Sequence, residues 1–414
     1  MKKSCKIIGL VLTMLTLVLA LAGSYVPVAS TAPERVIKVG LQVAWTGPLA
    51  TATVPVYQGV IDRIRYINET QGGINGIKVE ALHYDSKGMV PGGIINHKRY
   101  KDAGVVVEFQ EFSHQVSALV DDYQRDEIPC SMVVSGIPDF MTEPRWVFLS
   151  YPTTLSEYAV FLTYVKETWT EKRPPRIAIM SFETPDGFFL IEGAPKVSAD
   201  YGCEFVGYEV LPYVGTVDTS TEWLRMVERK ADWVYAYGVG VSLNVAVKDS
   251  ARLEIQQKGI KLCGWMSICD EPMLKVVGKS ANGWHMMFPC FSPSVEAEKD
   301  LPAVKKVAEI AKKYRGWEEK DATCLYSIGN AWAMVVLEGI RIALEKVGYE
   351  NLTGRAVRDG LASIGDFETG LVPPVTMSDE RPWFCKGAQV YHIEEVKRVP
   401  VHDYIEFPNI GLFG

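Results

Sequence analysis

The side chains of this 414-residue chain that could carry covalent chemistry do not gather into any arrangement that performs it. A nucleophilic hydrolase needs a serine on a Gly-x-Ser-x-Gly turn, a zinc peptidase a His-Glu-x-x-His helix, and a phosphate loop Gly-x-x-x-x-Gly-Lys-Ser/Thr; none of these occurs. The six histidines lie far apart, and His83 falls within a strand-like run where packing is the ordinary role. Gly238-Val239-Gly240 follows a strand and precedes a helix, as a dinucleotide loop does, but Leu243 stands where the third glycine belongs. A tight turn is the better reading. Cys263 and Cys269 could pair, yet their spacing matches no metal motif. The expectation is therefore a protein that is not an enzyme, with no cofactor and no bound metal.

What remains is non-covalent recognition. In an open α/β sheet, ligands collect at the carboxyl ends of strands, where helix N-termini direct free N–H groups outward. That rule selects Trp45 to Thr53, Gln110 to His114 and Val134 to Gly136 in the first part of the chain, and Glu183 to Gly187, Tyr237 to Ser242 and Ser267 to Glu271 in the second. The candidate ligand-binding residues on these loops are Trp45, Ser113, His114, Val134, Ser135, Gly136, Asp186, Tyr237 and Asp270. Trp45 could wall a cleft or belong to the core. Ser113 opens a helix and can cap it, and the same helix start can hold an anionic group. Asp186, two residues before an expected helix start at Phe188, and Asp270, before Glu271-Pro272, are each either a cap or an acid presented to a ligand.

The elements that must position these loops are legible from periodicity. Val36 to Val43 is a β-branched and apolar run that reads as a buried strand. Val60, Ile61, Ile64 and Ile67 recur at helical spacing, Gly72-Gly73-Ile74-Asn75-Gly76 ends the helix, and Lys78 to Tyr84 alternates as a second strand. Strand, helix and strand make a βαβ unit, which implies a parallel sheet with a right-handed crossover. The alternation continues with a helix at Gly93 to Lys101, a strand at Gly104 to Phe109, a helix at Ser113 to Arg125, and strands at Cys130 to Val134 and Trp146 to Ser150. A second series of the same plan begins at Leu155 and runs to a strand at Gly283 to Phe288. The helices Ala303 to Arg315 and Thr323 to Val347 follow, the latter with a broad apolar face, and then a strand-like Gln389 to Ile393.

Gly40 to Pro48, the Ile67-Asn68 followed by Gly72-Gly73-Ile74-Asn75-Gly76, and Tyr84-Asp85-Ser86 together resemble the solute-binding proteins of branched-chain amino-acid (leucine/isoleucine/valine) ABC transporters. The resemblance implies the α/β type I periplasmic-binding-protein fold, with two doubly wound parallel-sheet lobes joined by a three-segment hinge. It divides the chain into 34–152 plus about 289–366 as lobe 1, and 153–288 plus about 367–405 as lobe 2. It implies capture of a small organic solute, an amino acid of the branched-chain type or a related amide or organic acid, and delivery to the transmembrane subunits of an ABC permease. A ligand-sensing domain of the same fold is the alternative. In the family a serine or threonine at the position of Ser113 receives the ligand's carboxylate, and Ser135 and Gly136 match its small-residue loop. The chain departs from the amino-acid binders at Asp186-Gly187, where many carry an aromatic residue, and at Met266-Ser267-Ile268, where a glutamate would meet the ligand's ammonium. Either Asp186 or Asp270 replaces that glutamate, or the ligand is not an α-amino acid.

Lys2, Lys3 and Lys6 precede an apolar run from Ile7 to Ala22, the composition of a secretory signal peptide spanning residues 1–30. Ala20-Leu21-Ala22 and Val28-Ala29-Ser30 both suit cleavage, and an uncleaved anchor is the other reading. Cys5 lies ahead of the run, which argues against a lipoprotein anchor. Beyond this run nothing reads as long and apolar enough to span a membrane, so a periplasmic or extracytoplasmic protein without stable membrane insertion is expected once the signal is removed. Loss of three lysines would take the net charge from -7 to -10, a poor balance for binding nucleic acid. Eight cysteines fall to seven once Cys5 is removed, an odd number without tight spacing and so no disulfide framework, and Cys203 and Cys263 read as buried thiols.

Overall fold

The computed structural model describes residues 35–47, 49–141, 144–213, 215–266 and 271–410. The expected signal segment and Asp270 lie outside the described residues. Strand β1 (Val36–Val43) lies beside the edge strand of the first sheet and buries Val39, Leu41 and Val43 completely. Helix α1 (Ala50–Gln71) lays Val56, Val60 and Ile64 into the same core. Gly72 ends it in the left-handed conformation, φ 72°.

The Ile-Asn and Gly-Gly pattern has a physical cause. Asn68 donates its Nδ2 to the Val79 carbonyl (2.8 Å) and accepts from the Val79 N–H (2.9 Å), binding the end of α1 to β2 (Lys78–Asp85). At Gly73, φ 94°, a Cβ would lie 2.0 Å from the Ile77 carbonyl oxygen, so only glycine permits the turn.

Helix α2 (Val90–Ala103), β3 (Glu108–Gln110), helix α3 (Ser113–Asp126), β4 (Cys130–Gly136) and β5 (Val147–Thr153) complete this half. The sheet order is β2-β1-β3-β4-β5, with β1, β3, β4 and β5 parallel. β3 is shorter than the sequence suggests. The preceding Val105 to Val107 are buried, but only the Val106 N–H and the Val107 carbonyl bond to β1, at Lys38 and Gly40.

The second sheet holds β6 (Arg176–Phe182), β7 (Glu204–Leu211), β8 (Trp233–Ala236), β9 (Lys261–Gly264) and β10 (Trp284–Phe288), all parallel. On its far edge lie the antiparallel β11 (Gly387–Glu394) and β12 (Lys397–Pro400), in the order β12-β11-β10-β9-β8-β6-β7, with β13 (Ile405–Glu406) pairing β11. Helices α4 (Thr154–Thr168), α5 (Pro185–Asp200), α6 (Ser220–Glu228) and α7 (Gly240–Arg252) belong to this series, as does the short α8 (Glu271–Val277), which begins where the capping reading of Asp270 placed a helix start.

After β10 the chain returns to the first half as α9 (Pro302–Arg315) and α10 (Cys324–Val347), both packed on α1, and then α11 (Gly354–Leu361). It crosses again before β11. Near these crossings Leu149 and Ser150 at the end of the first sheet hydrogen-bond to residues 382–385, and the Phe291 N–H bonds to the Leu371 carbonyl. Two parallel-sheet lobes joined by three segments are thus the observed architecture.

Two expectations need correction or completion. Helix α10 is by length and composition apolar enough to cross a membrane, contrary to the sequence reading, but 78% of its most apolar window is buried inside the protein. It is a core helix. Cys130, Cys203, Cys263, Cys290, Cys324 and Cys385 are buried, and Cys263 is a free thiol, so the bond considered for it is not formed; Cys269 lies outside the described residues.

α1 and α10 touch through glycine. A Cβ on Gly59 would lie 2.2 Å from the Tyr326 carbonyl oxygen, and one on Gly329 would lie 2.0 Å from that of Val56. A methyl group there must push the two longest described helices apart. Gly329→Ala is expected to destabilise the protein by about 1–3 kcal/mol, read as a lower urea midpoint. An unchanged midpoint would show that the helix pair gives way without cost.

Candidate functional site

The site is assembled from strand ends whose local conformation is set by short polar side chains. Gln110 closes β3, and its Oε1 accepts the N–H groups of Glu111 (2.8 Å) and Phe112 (3.1 Å). Its Nε2 donates to Gln115 Oε1 (3.0 Å), and Gln115 in turn donates to the Met89 carbonyl (3.1 Å). This chain of buried amides holds the turn from β3 into α3. Ser113 was expected as a cap, but it is the first residue of the helix, Phe112 holds the cap position, and no side chain caps there. The Ser113 hydroxyl donates instead to Asp186 Oδ1 at 2.5 Å, across 73 residues of sequence.

Asp186 is also freed from a local role. Helix α5 begins at Pro185 rather than near Phe188, and its cap is Thr184, whose Oγ1 accepts the Gly187 N–H at 3.2 Å. A Cβ on Gly187 would lie 2.2 Å from the Phe182 carbonyl oxygen, which explains the glycine after the aspartate. The Asp186 carboxylate, 7% exposed, accepts a second hydrogen bond from the Tyr237 hydroxyl, 2.5 Å from Oδ2. Ser113 of the first lobe and Tyr237 of the second thus meet on one buried acid.

These three residues line a cavity of about 70 Å³ between the sheets. Its walls are mostly apolar and aromatic: Leu49 and Phe112 on one side, Phe182, Tyr213, Trp265 and Met266 on the other. Leu325, at the start of α10, is also among the lining residues. Gly238, φ 154°, must remain glycine, because a Cβ would press into the Phe182 ring at 2.5 Å.

Glu111 lines the same space, and its Oε2 is shielded from solvent with no hydrogen-bond partner among the described residues. Burial raises its carboxyl well above the usual range, which favours the neutral acid. The Tyr213 phenol is pushed up as well, first by burial and then by the nearby Asp186 and Glu111. Among the described lining residues there is no lysine, arginine or histidine. The site can therefore enclose an apolar body and offer acidic and hydroxyl groups to its polar end. Among the described residues no group of histidine, cysteine and acidic side chains is arranged to hold a metal ion.

A family model described as periplasmic binding protein matches residues 36–392. The chain belongs to that family. Several solved structures share its fold. A branched-chain amino acid ABC transporter protein from Thermus thermophilus with bound valine superposes with a TM-score of 0.79 at 18% identity, covering 90% of this chain and 97% of that one. A solute-binding protein of an ABC transporter from R. palustris in complex with 4-hydroxybenzoate gives 0.77 at 16% identity, over 91% and 99% of the two chains. A fatty acid ABC transporter substrate-binding protein from Thermomonospora curvata gives 0.75 at 16% identity, over 91% and 93%. At such identities the likeness is one of fold. A comparison with curated protein sequences finds no match.

In this periplasmic binding protein the sequence-selected residues divide into groups. Ser113, Asp186 and Tyr237 come together around the cavity. Trp45 is not among the described lining residues; its ring packs edge-on to His83 with centroids 5.3 Å apart, and its backbone N–H donates to Asp85 Oδ1 at 3.0 Å. His114 stands behind the wall, with Nε2 2.8 Å from the Gly88 carbonyl oxygen and its ring 5.4 Å from that of Tyr213. Gly136 ends β4, where a Cβ would lie 2.4 Å from a Leu149 methyl carbon, and it does not appear in the described lining. The side chains of Val134 and Ser135, and all of Asp270, lie outside the described residues.

Glu111, Phe182, Tyr213 and Trp265 were missed as site residues. Glu111 sat within a selected loop, and an acid directly after a buried strand end was the available signal. Tyr213 follows the edge strand β7, where periodicity carries no hint of a cavity.

Proposed function

We propose that this chain is the extracytoplasmic solute-binding component of an ABC importer, capturing one small organic solute between its lobes and presenting the closed form to the permease's transmembrane subunits. The observation that carries the reading is the enclosed cavity at the strand carboxyl ends, with a buried acid joining a serine of one lobe to a tyrosine of the other. Lobe 1 comprises 34–152 plus about 289–366, and lobe 2 comprises 153–288 plus about 367–405; the three crossings form the hinge. An amino acid of the branched-chain type, or a related amide or organic acid, is the ligand class the family resemblance favours. The basic and apolar first 30 residues support export through a signal peptide. No reaction is catalysed, and transport energy comes from a separate ATPase.

Thermal unfolding of the secreted chain against amino acids, amides, short organic acids, aromatic acids and amines tests this. A cognate class at a hundred times its Kd should add about 2.7 kcal/mol to stability, visible as a raised Tm, with one solute bound per chain by calorimetry. A panel in which every class leaves the Tm unchanged would overturn the reading.

A further inference from the structure

We infer that the cavity selects a solute with an apolar or aromatic body ending in a cationic nitrogen, an amine or amidinium without a free carboxylate, and that Glu111 is the acceptor that sets this choice. The inference rests on the proposed solute-binding role of the same cavity and replaces the ligand class that the family resemblance favours.

Two acids face this space from opposite lobes, and no basic side chain among the described lining residues offsets them. Asp186 already has one hydroxyl donor on each oxygen, which holds it in place. Glu111 differs: it lines the cavity, and its Oε2 is shielded from solvent and lacks any partner among the described residues. An unsatisfied buried acceptor costs stability and is retained where a ligand supplies the missing donor. The titratable groups about Glu111 are Tyr57 on α1 and Tyr213 after β7, with Asp186 lining the same cavity and His114 behind the wall, its ring 5.4 Å from that of Tyr213; no lysine or arginine is among the described lining residues. A ligand carboxylate entering here would face Asp186 with no counter-charge, and two of the N–H groups in the turn before α3 are already bonded to Gln110.

An ammonium group reverses each of these terms. Its N–H donors would meet Glu111 in a cavity that Asp186 also lines, and the aromatic faces of Tyr213 and Trp265 favour a cation beside them. Burial keeps Glu111 protonated in the empty site, so arrival of a cation releases its proton to solvent and leaves the carboxylate paired. Affinity for an amine should therefore rise with pH as long as the amine itself stays protonated.

The test is titration calorimetry of the secreted full chain with matched probes: isopentylamine against 4-methylpentanoate and leucine, and phenethylamine against 3-phenylpropionate and phenylalanine. Running each in two buffers of different ionisation enthalpy counts the protons released. The expected result is at least ten-fold tighter binding of an amine than of its paired acid and amino acid, with close to one proton released. Glu111→Gln, which keeps size and shape, should lower amine affinity at least ten-fold and abolish the proton release while leaving the unfolding temperature near that of the wild type. Acids or amino acids binding as tightly as the amines would overturn the inference and leave the solute-binding role standing. Amines binding preferentially but unchanged in Glu111→Gln would overturn it too, because the choice would then lie elsewhere. If no probe binds, the inference fails; the solute-binding role fails with it only if the broader thermal panel is also silent.

Discussion

Asp186→Asn opens the cleft. The Asp186 carboxylate accepts the Ser113 hydroxyl from the first lobe and the Tyr237 hydroxyl from the second, each at 2.5 Å, in a setting that is 7% exposed. Hydrogen bonds to a charged group contribute about 1.5–3 kcal/mol each. Asparagine keeps one oxygen and replaces the other with an NH₂ that cannot accept, so one hydroxyl is left facing a donor. If the bond to Ser113 is lost, roughly ten-fold or more of the closed population moves to open forms. Small-angle scattering without ligand should show a larger radius of gyration for Asp186→Asn than for the wild type. Ser113→Ala, which breaks only the bond between lobes and leaves Tyr237 untouched, should open the cleft to a similar degree. Identical radii in all three proteins would mean that this bond does not hold the lobes together.

Trp332→Ala should cost about 3–5 kcal/mol of folding stability, the larger of the stability effects expected here. Trp332 is fully buried on α10, with its ring 4.7 Å from that of Phe109 and 5.8 Å from that of Tyr57, and its indole N–H donates to Ser131 Oγ at 2.7 Å. It joins β3, β4, α1 and the long helix of the returning segment at one point. Truncation leaves a void the size of an indole in a core made by segments far apart in sequence, and it strands the Ser131 hydroxyl. Urea unfolding followed by far-UV circular dichroism reads the loss directly. Trp332→Phe keeps a ring and forfeits only part of the volume and the one hydrogen bond, so it should cost less than half as much. Equal midpoints for the alanine variant and the wild type would mean that the core relaxes around the gap.

Sequence alone determined the elements and the general location of the site, because both follow from short-range physics. A strand or helix buries one face with a period of 2 or 3.6, so β1 could be delimited at Val36–Val43 and the returning helix at about Thr323 to Val347 from apolar spacing. The Ile-Asn and Gly-Gly-Ile pattern is likewise local: Asn68 bonds to Val79 only eleven residues on, and the backbone at Gly73 admits no side chain. The rule that ligands meet strand carboxyl ends then selected the loops holding Ser113, Asp186 and Tyr237 without any knowledge of which would touch.

Tertiary structure decided what those side chains do. From its neighbours, Ser113 reads as a helix cap and Asp186 as another; only the approach of two lobes turns them into donor and acceptor, while Thr184 takes the cap that Asp186 might have made. The apolar composition of α10 has the same ambiguity, since a buried core helix and a membrane span satisfy one pattern, and packing against α1 resolved it. Glu111 is the clearest case. Whether a carboxyl is solvated and charged or enclosed and neutral depends on what covers it, and its cover includes Tyr213 and Asp186 from the other lobe. Hydrogen bonding and desolvation between residues about a hundred positions apart leave no periodic trace in the chain, so the acid that sets the character of the cavity becomes visible only once the lobes have met.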